Sequence, residues 1–236
     1  MMEKVAKKEE SSFVSPSIKV QVGTEIGYRP SWASLNRKSV SLATAGDEIN
    51  LSEGFHFLLA RNGRGKTTFL KTIAGCLTAL EGSVEVVGQV QYVSEDLKFD
   101  PEVTPSLIFK SLFSAKSRKL ALQMSGRLEL PVETQYGKLS KGNCQKLSII
   151  VAETKASEGG PQVLLMDEPF SGIDFHVREE IGKIWREGPD HLRVICVHPD
   201  EQTLEADSVM LINEGALTWS PVDTYIDWNS LKPTLQ

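Results

Sequence analysis

Hydrophobic and polar positions change their spacing sharply near residue 60. Residues 55–59 form a short, mostly apolar run, which is typical of a buried strand in a parallel sheet. The apolar positions that follow recur at helical spacing: Phe69, Leu70, Ile73, Leu77 and Leu80. A helix stop is expected at residues 81–82, where Gly82 follows Glu81. The pattern therefore predicts a buried strand, a tight turn and then a helix.

The turn between this strand and this helix has the sequence Ala-Arg-Asn-Gly-Arg-Gly-Lys-Thr-Thr over residues 60–68. Glycines in such a turn let backbone N–H groups close around phosphate oxygens, and the helix N-terminus adds partial positive charge. Lys66 is expected to reach the β- and γ-phosphates, and the Thr67 hydroxyl to bind Mg²⁺. Ala60 stands where such loops usually begin with glycine, which is acceptable if its backbone keeps ordinary dihedral angles. The residues predicted to contact the nucleotide here are Asn62, Gly63, Arg64, Gly65, Lys66, Thr67 and Thr68.

A second candidate site follows another apolar run. Residues 163–166 are all apolar and predict a buried strand that delivers Asp167 and Glu168 at its C-terminal end. Ligands of open parallel sheets lie at that end. Asp167 is predicted to serve Mg²⁺ through water, and Glu168 to be the base that orients the attacking water.

The remaining pattern predicts strands at both ends of the chain and helices in its middle. Strands are expected over residues 17–22, 39–50 (interrupted at Gly46), 83–87 and 89–93, with a hairpin over 208–219 that turns at 213–215. Residues 99–127 predict a helical insertion on these apolar positions: Leu107, Ile108, Leu112, Phe113, Leu120 and Leu122. A further helix is expected from residue 141, where Ser140 and Gly142 could present a hydroxyl and N–H groups to an anion. A short helix is predicted over 223–231.

Two aromatic residues upstream of the turn are candidates for stacking on adenine. Tyr28 and Trp32 lie in a loop-like, polar stretch. Either ring could stack on the base or merely cover the edge of a sheet. We assign Trp32 to the predicted nucleotide site and keep Tyr28 as the alternative.

Composition narrows the possible partners. The net charge of −5 argues against a broad nucleic-acid footprint, so no nucleic-acid partner is predicted. No run of about 18 apolar residues appears, which argues against a membrane span. The three cysteines lack metal-ligand spacing and suit reduced thiols in the cytosol. Residues 1–16 are rich in Lys, Glu and Ser, lack the apolar stretch of a secretory signal, and are expected to be a disordered tail.

Together these motifs resemble the ATP-binding subunits of ABC transporters, from about residue 17 to residue 219. The phosphate loop and the acidic strand end occur in the family's order. Residues 139–143, Leu-Ser-Lys-Gly-Asn, look like the family signature Leu-Ser-Gly-Gly-Gln. Residues 171–174, Ser-Gly-Ile-Asp, are similar to its D-loop and include Asp174. His198 stands at the place of the switch histidine, after a strand expected over 193–197, whereas the Q-loop glutamine is replaced by Glu95.

The resemblance implies an α/β fold with a P-loop NTPase core, a mostly parallel sheet, an N-terminal antiparallel β subdomain and a small inserted helical subdomain. It implies one ATP-binding domain over residues 17–232, with the helical subdomain at about 99–155. It further implies an ATPase that uses ATP and Mg²⁺, with Glu168 and His198 as catalytic residues. The signature residues Ser140, Lys141 and Gly142 would complete the ATP site of a second ATP-binding subunit.

The same resemblance implies a place in the cell and a partner. An integral membrane permease, docked near residues 95–113, would be driven by opening and closing of the ATP-bound dimer. The chain would then lie on the cytoplasmic face of a membrane. Glu95 and Lys141 look like features of ABC-2-type exporter ATPases, so an exporter is expected.

Two alternatives stay open at this point. The first is a non-transport ATPase of the same superfamily, such as a DNA-repair protein. Against it, no sustained heptads and no long coiled-coil insertion separate the phosphate loop from the signature. The second is a nucleotide-dependent regulatory scaffold with weak hydrolysis. Ala60, Glu95 and the altered signature favour it, whereas Glu168 and His198 argue against it.

Overall fold

Most of the helices and strands that the sequence pattern predicts are present, in the predicted order. Two elements were not predicted: a strand at Glu25–Tyr28, where Tyr28 was expected to lie in a loop, and a helix at Phe175–Glu187. The computed structural model describes residues 15–29, 38–94, 96–160, 162–197 and 205–222. Within these ranges the α-helices are α1 (Lys66–Ile73), α2 (Pro105–Leu112), α3 (Ala115–Arg127), α4 (Lys141–Ala156) and α5 (Phe175–Glu187). The strands are β1 (Ser17–Val20), β2 (Glu25–Tyr28), β3 (Val40–Ala45), β4 (Ile49–Leu51), β5 (Gly54–Ala60), β6 (Val84–Val87), β7 (Gln89–Val93), β8 (Gln162–Met166), β9 (Leu192–Cys196), β10 (Ser208–Asn213) and β11 (Ala216–Pro221).

The strands form two sheets. The larger one has eight strands in the order β2-β3-β11-β10-β5-β9-β8-β7, and its five strands from β10 to β7 run parallel. The pairs β2–β3 and β10–β11 are antiparallel. The smaller sheet, β4-β1-β6, is antiparallel. This architecture confirms the predicted α/β fold with a mostly parallel sheet and an N-terminal antiparallel part.

Strand β5 is buried on both faces, because each face of the large sheet is covered by a different apolar cluster. Phe57 and Leu59 point into a cluster shared with the helices α2, α3 and α4. Leu58 and Ala60 point the other way, into a cluster that includes Phe69 of α1. Two-sided burial explains why residues 55–59 are nearly continuously apolar instead of alternating.

The first helix ends earlier than the apolar spacing predicts. Leu77 and Leu80 lie beyond it, since α1 stops at Ile73. Gly75 adopts φ 71°, and the N–H groups of Gly75 and Cys76 donate to the carbonyls of Thr72 and Lys71 at 3.1 and 2.9 Å. These two bonds form a Schellman cap, for which glycine is the favoured residue. Gly75 was therefore the stop signal, and the expected stop at residues 81–82 was wrong.

Gly88 lies between the strands predicted over residues 83–87 and 89–93, and it does more than interrupt them. Gly88 has φ 123°, and the strands on its two sides belong to different sheets, β6 to the small one and β7 to the large one. A side chain rarely adopts that dihedral angle, so glycine allows the chain to pass from one sheet to the other within a single residue.

The predicted helical insertion consists of α2, α3 and a single 3-10 turn at Tyr136–Lys138, followed by α4. Thr104 caps α2 by accepting a hydrogen bond from the Leu107 N–H at 3.3 Å, and Pro105 takes the first helical position. Of the six apolar positions that predicted this region, Ile108 and Phe113 are buried and Leu120 is half-buried. Leu107, Leu112 and Leu122 are exposed.

A buried ion pair joins α4 to the large sheet, and the sequence pattern did not predict it. Arg193 of β9 is 2% exposed and Glu153 of α4 is 8% exposed. The guanidinium donates from two nitrogens to both carboxylate oxygens, each at 2.9 Å. It also lies against the rings of Phe55 and Trp185, at 5.3 and 5.6 Å from their centres. Ion pairing and contact with two aromatic faces together compensate the burial of a full charge.

Candidate functional site

The turn after β5 is shaped by two glycines and leads directly into α1. Gly63 and Gly65 adopt φ 77° and 109°, and Gly65 takes the N-cap position of α1. Arg64 lies exposed between them, and its N–H donates to the Arg61 carbonyl at 3.2 Å. Ala60 is not among the residues with positive φ, so its side chain is tolerated there. The backbone N–H groups at the start of α1 lack side-chain caps, which leaves donors for an anion.

Lys66, the first residue of α1, is the buried cation of this loop. Its ammonium group donates to the Ala60 carbonyl at 3.0 Å and to the Asn62 side-chain oxygen at 3.3 Å. It also lies 3.3 Å from Oε1 of Glu168. The three donors of the ammonium thus have three acceptors, one of which is the predicted catalytic carboxylate.

Asp167 stands directly after β8 and faces the start of α1. The Thr67 hydroxyl donates to its Oδ2 at 2.7 Å, and the Tyr92 hydroxyl donates to the same oxygen at 3.3 Å. The buried thiol of Cys196 belongs to the neighbouring strand β9. Burial and the negative charge of Asp167 raise the pKa of Tyr92 well above its ordinary value, and the same two causes raise the pKa of Cys196. Tyr92 therefore stays protonated and donates to the carboxylate.

Glu168 has an unusual backbone for a residue that is not glycine. Its φ is 49°, in the left-handed region that costs free energy for most side chains. The Ser171 N–H donates to its carbonyl at 3.2 Å, which closes a turn after the strand. Its side chain is 35% exposed and paired with Lys66, so it combines a fixed position with access to solvent. Such a strained residue beside a buried lysine is a good candidate for a catalytic group.

The predicted signature and D-loop residues contact each other within this chain. Ser140 caps α4 by accepting from the Asn143 N–H at 3.2 Å. Gly142 lies so close to Gly172 that an added Cβ would overlap the Gly172 carbonyl oxygen. Asp174 caps α5 by accepting from the Val177 N–H at 3.0 Å, and this hydrogen bond is the main cause that lowers its pKa. The two segments are thus packed backbone to backbone, beside the turn that carries Glu168.

Replacing Gly142 by alanine is expected to lower the free energy of unfolding by about 1–3 kcal/mol, because the new methyl group has no room against backbone. Gly126→Ala in α3 is the matched control, since an added Cβ there meets nothing within 4 Å. That change should stabilise the helix by roughly 0.5–1 kcal/mol. Urea unfolding of both variants measures the two effects, and equal stabilities would contradict the close contact.

Several predicted site residues lie outside the described residues. These are Trp32, Glu95 and His198, together with the expected helix over 223–231. Tyr28 is described: it ends β2, an edge strand of the large sheet, and is partly exposed. Its hydroxyl forms a 2.6 Å hydrogen bond with the Thr68 hydroxyl, at the start of α1. The ring therefore lies next to the predicted phosphate loop, and both interpretations of Tyr28 remain compatible with its position.

Two residues near Asp167 were missed at the level of sequence, Tyr92 and Cys196. Both belong to the strands on either side of β8, and strand order is not visible in a local pattern. Among the described residues, no cluster of three or more His, Cys, Asp or Glu side chains could hold a metal alone. Thr67 and Asp167 nevertheless place two oxygen atoms together, which suits a cation that takes its other ligands from phosphate and water.

A comparison with known protein families decides the assignment. Residues 48–171, more than half of the chain, match the family model described as ABC transporter. The chain belongs to the ABC transporter family. The matched residues include both the glycine-bearing turn after β5 and the acidic end of β8.

Curated ABC-family proteins with similar sequences come from archaea and bacteria. One is an uncharacterized ABC transporter ATP-binding protein of Methanocaldococcus jannaschii, 38% identical over 139 residues, which is 54% of this chain and 52% of that protein. Another is the sulfate/thiosulfate import ATP-binding protein CysA of Brucella melitensis, 31% identical over 204 residues, which is 73% of this chain and 55% of that protein. The chain thus spans about half the length of the curated relatives it matches.

Solved ABC transporter structures share the fold at low sequence identity. An Atm1-family ABC exporter with ATP bound superposes with a TM-score of 0.69 at 17% identity, covering 94% of this chain and 41% of that one. A protein described as a metal-chelate type ABC transporter, in an inward-facing conformation, gives 0.67 at 18% identity and covers 94% and 89% of the two chains. Among the helices of the described residues, none combines the length and apolar content needed to cross a bilayer.

Proposed function

We propose that this chain is the ATP-binding and ATP-hydrolysing subunit of an ABC transporter. The observation that carries the proposal is the convergence of Lys66, Thr67, Asp167 and Glu168 at one end of the parallel sheet. A buried ammonium, a hydroxyl and two carboxylates are the side chains that phosphoryl transfer requires. They lie where the loop after β5 meets the end of β8, the edge of the sheet at which ligands bind.

The phosphate loop would bind the triphosphate by backbone and side-chain donors together. Lys66 is held close to the loop by Ala60 and Asn62, so its ammonium is already directed to the place that the loop encloses. Gly63 offers open space where a side chain would otherwise stand. Binding a phosphate there would replace the pairing of Lys66 with Glu168 by pairing with the ligand. Tyr28 and Trp32 are the candidates for contact with adenine.

Thr67 and Asp167 are the residues that would hold Mg²⁺. Their oxygen atoms are hard ligands and lie 2.7 Å apart in an otherwise polar corner of the site. When bound, the ion would neutralise charge that develops on the phosphate oxygens during transfer. The hydrogen bond between Thr67 and Asp167 keeps the two oxygens adjacent, as a shared cation would require.

Glu168 would act as the general base for hydrolysis. Its carboxylate is the exposed member of the acidic pair, so it can reach a water molecule, whereas Asp167 is buried. Release from Lys66 on nucleotide binding would free it to accept a proton from that water. His198, the predicted switch histidine, would hold the γ-phosphate in this step.

A second copy or a related ATP-binding subunit would complete each site. Ser140 caps α4 and Lys141 and Gly142 begin it. The contact of Lys141 and Gly142 with Gly172 connects this segment to the turn after Glu168. Nucleotide binding at one ATP site would thereby affect the surface that completes the other ATP site. An integral membrane permease would be driven by the opening and closing of the dimer, with the chain peripheral on the cytoplasmic face.

We propose that the transporter is an exporter, because Glu95 and Lys141 resemble features of exporter ATPases. The similar proteins include both an import protein and an exporter by name, so they favour neither direction. The domain boundaries, residues 17–232 with a helical part at about 99–155, stay predictions.

Lys66→Ala tests nucleotide binding directly. We expect ATP affinity to fall about 10- to 100-fold, because charge-assisted hydrogen bonds to phosphate are lost. Lys119→Ala, at an exposed position of α3, is the matched control and should bind ATP as the parent chain does. Equilibrium binding of a fluorescent ATP analogue measures both, with circular dichroism to verify folding. Unchanged affinity in Lys66→Ala would reject this loop as the phosphate site.

A further inference from the structure

One hydrogen bond in the site has no part in the chemistry described so far. The Tyr92 hydroxyl donates to Oδ2 of Asp167 at 3.3 Å, and Thr67 donates to the same oxygen. The two donors come from different parts of the molecule: Thr67 belongs to the start of α1, and Tyr92 to strand β7 of the large sheet. The carboxylate is therefore held from two sides, by the nucleotide loop and by the sheet.

The sheet fixes where the Tyr92 hydroxyl can lie. Strand β7 runs parallel to β8 with Tyr92 opposite Leu165 and Val93 opposite Met166. The pairing continues one residue further, since the Asp167 N–H donates to the Val93 carbonyl at 3.0 Å. The Tyr92 ring is packed against the apolar cluster that also contains Leu165. The Tyr92 ring and the Asp167 carboxylate are thus both attached to adjacent, regularly hydrogen-bonded segments of the sheet.

The direction of the hydrogen bond between Tyr92 and Asp167 is fixed by the chemistry of the two groups. A carboxylate oxygen accepts, so the Tyr92 hydroxyl is the donor and its hydrogen points at Asp167.

We propose that Tyr92 is a positioning residue that fixes the Asp167 carboxylate, from the sheet side, in the orientation needed to receive the divalent cation of the nucleotide. This inference rests on the proposed function, because it assigns Tyr92 a role in the same site. Thr67 lies in the loop that the nucleotide fills, whereas Tyr92 lies in the sheet. Tyr92 therefore holds the carboxylate independently of what occupies the loop. Without its hydroxyl, Asp167 could rotate, and cation binding would have to restore its orientation.

Tyr92→Phe removes this hydroxyl while keeping the ring that packs in the apolar cluster. Binding of Mn²⁺, as a spectroscopic stand-in for Mg²⁺, is measured by electron paramagnetic resonance on the chain with a non-cleavable ATP analogue. Mn²⁺ affinity is expected to fall about three- to tenfold, since one hydrogen bond to a charged acceptor is lost. Binding of the analogue in EDTA should be unchanged within about twofold, because the Tyr92 hydroxyl bonds to Asp167 and not to the loop residues proposed to bind the triphosphate.

Tyr136→Phe is the matched control, since the Tyr136 hydroxyl donates to the Leu97 carbonyl and not to Asp167. It should bind Mn²⁺ as the parent chain does. Parent-like Mn²⁺ affinity in Tyr92→Phe would overturn the positioning role. An equal loss of analogue binding with and without the cation would overturn it too, because that is the signature of general structural damage. If the parent chain itself showed no cation-dependent binding of the analogue, the proposed function would fail, and the inference with it.

Discussion

ATP turnover in Glu168→Gln is expected to fall about 10²- to 10⁴-fold, the usual contribution of a positioned general base. The amide keeps the size and hydrogen-bonding capacity of the side chain but cannot accept the proton from water. Affinity for ATP should be retained or increased, because the change also removes the carboxylate that pairs with Lys66 in the structure. The expected result is therefore a separation of binding from hydrolysis.

The experiment compares steady-state phosphate release and equilibrium ATP binding, for the purified chain and for membranes that contain the proposed permease partner. Glu85→Gln, at an exposed position of β6, is the control for loss of a carboxylate elsewhere and should leave both quantities unchanged. Turnover at the parent rate in Glu168→Gln would exclude Glu168 as the essential base. Turnover absent from the parent chain, with and without the partner, would favour the regulatory scaffold instead.

The second large effect concerns stability. Glu153→Leu is expected to lower the free energy of unfolding by about 3–5 kcal/mol, because it leaves Arg193 charged and buried with no carboxylate. Replacing both partners, in Glu153→Leu with Arg193→Met, should recover most of that loss, since no uncompensated charge remains. The contacts of Arg193 with Phe55 and Trp185 can be replaced by the thioether side chain of methionine.

Urea unfolding of the single and double variants completes this test. Lys155→Ala is the control on the same helix, because Lys155 forms a solvent-exposed pair with Glu158 whose loss should leave the free energy of unfolding nearly unchanged. If Glu153→Leu cost no more than Lys155→Ala, the buried pair would contribute no specific stabilisation. A double variant as unstable as the single one would show that packing, and not charge, dominates at this position.

The parts of the site that were predictable are those encoded in consecutive residues. The glycine-bearing turn before Lys66 and the acidic pair after residue 166 each lie at the end of a buried strand, and the structure brings these two ends together. The apolar runs that precede these residues indicated buried strands correctly, because the large sheet is covered on both faces. The catalytic and binding roles themselves stay predictions until they are measured.

The parts that were not predictable depend on which strands and loops become neighbours. Tyr92 reaches Asp167 only because β7 lies beside β8, and Gly142 needs its lack of a side chain only because Gly172 passes it. In the sequence, Arg193 is only a polar residue within an apolar strand, and its role becomes visible when the fold places Glu153 opposite it. One local signal was available and was misjudged, since Gly75 ends α1 before the apolar spacing does.

The position of the last hairpin constrains how this molecule can form. Strands β10 and β11 are inserted between β3 and β5, although β3 and β5 are close in sequence. On the ribosome, residues 40–60 emerge long before residues 208–221, so β3 and β5 cannot pair with the hairpin until residues 208–221 have been synthesised. Contacts so distant in sequence slow folding. Co-translational folding is therefore expected to leave β5, and the loop that follows it, without the neighbouring strand β10 until that point.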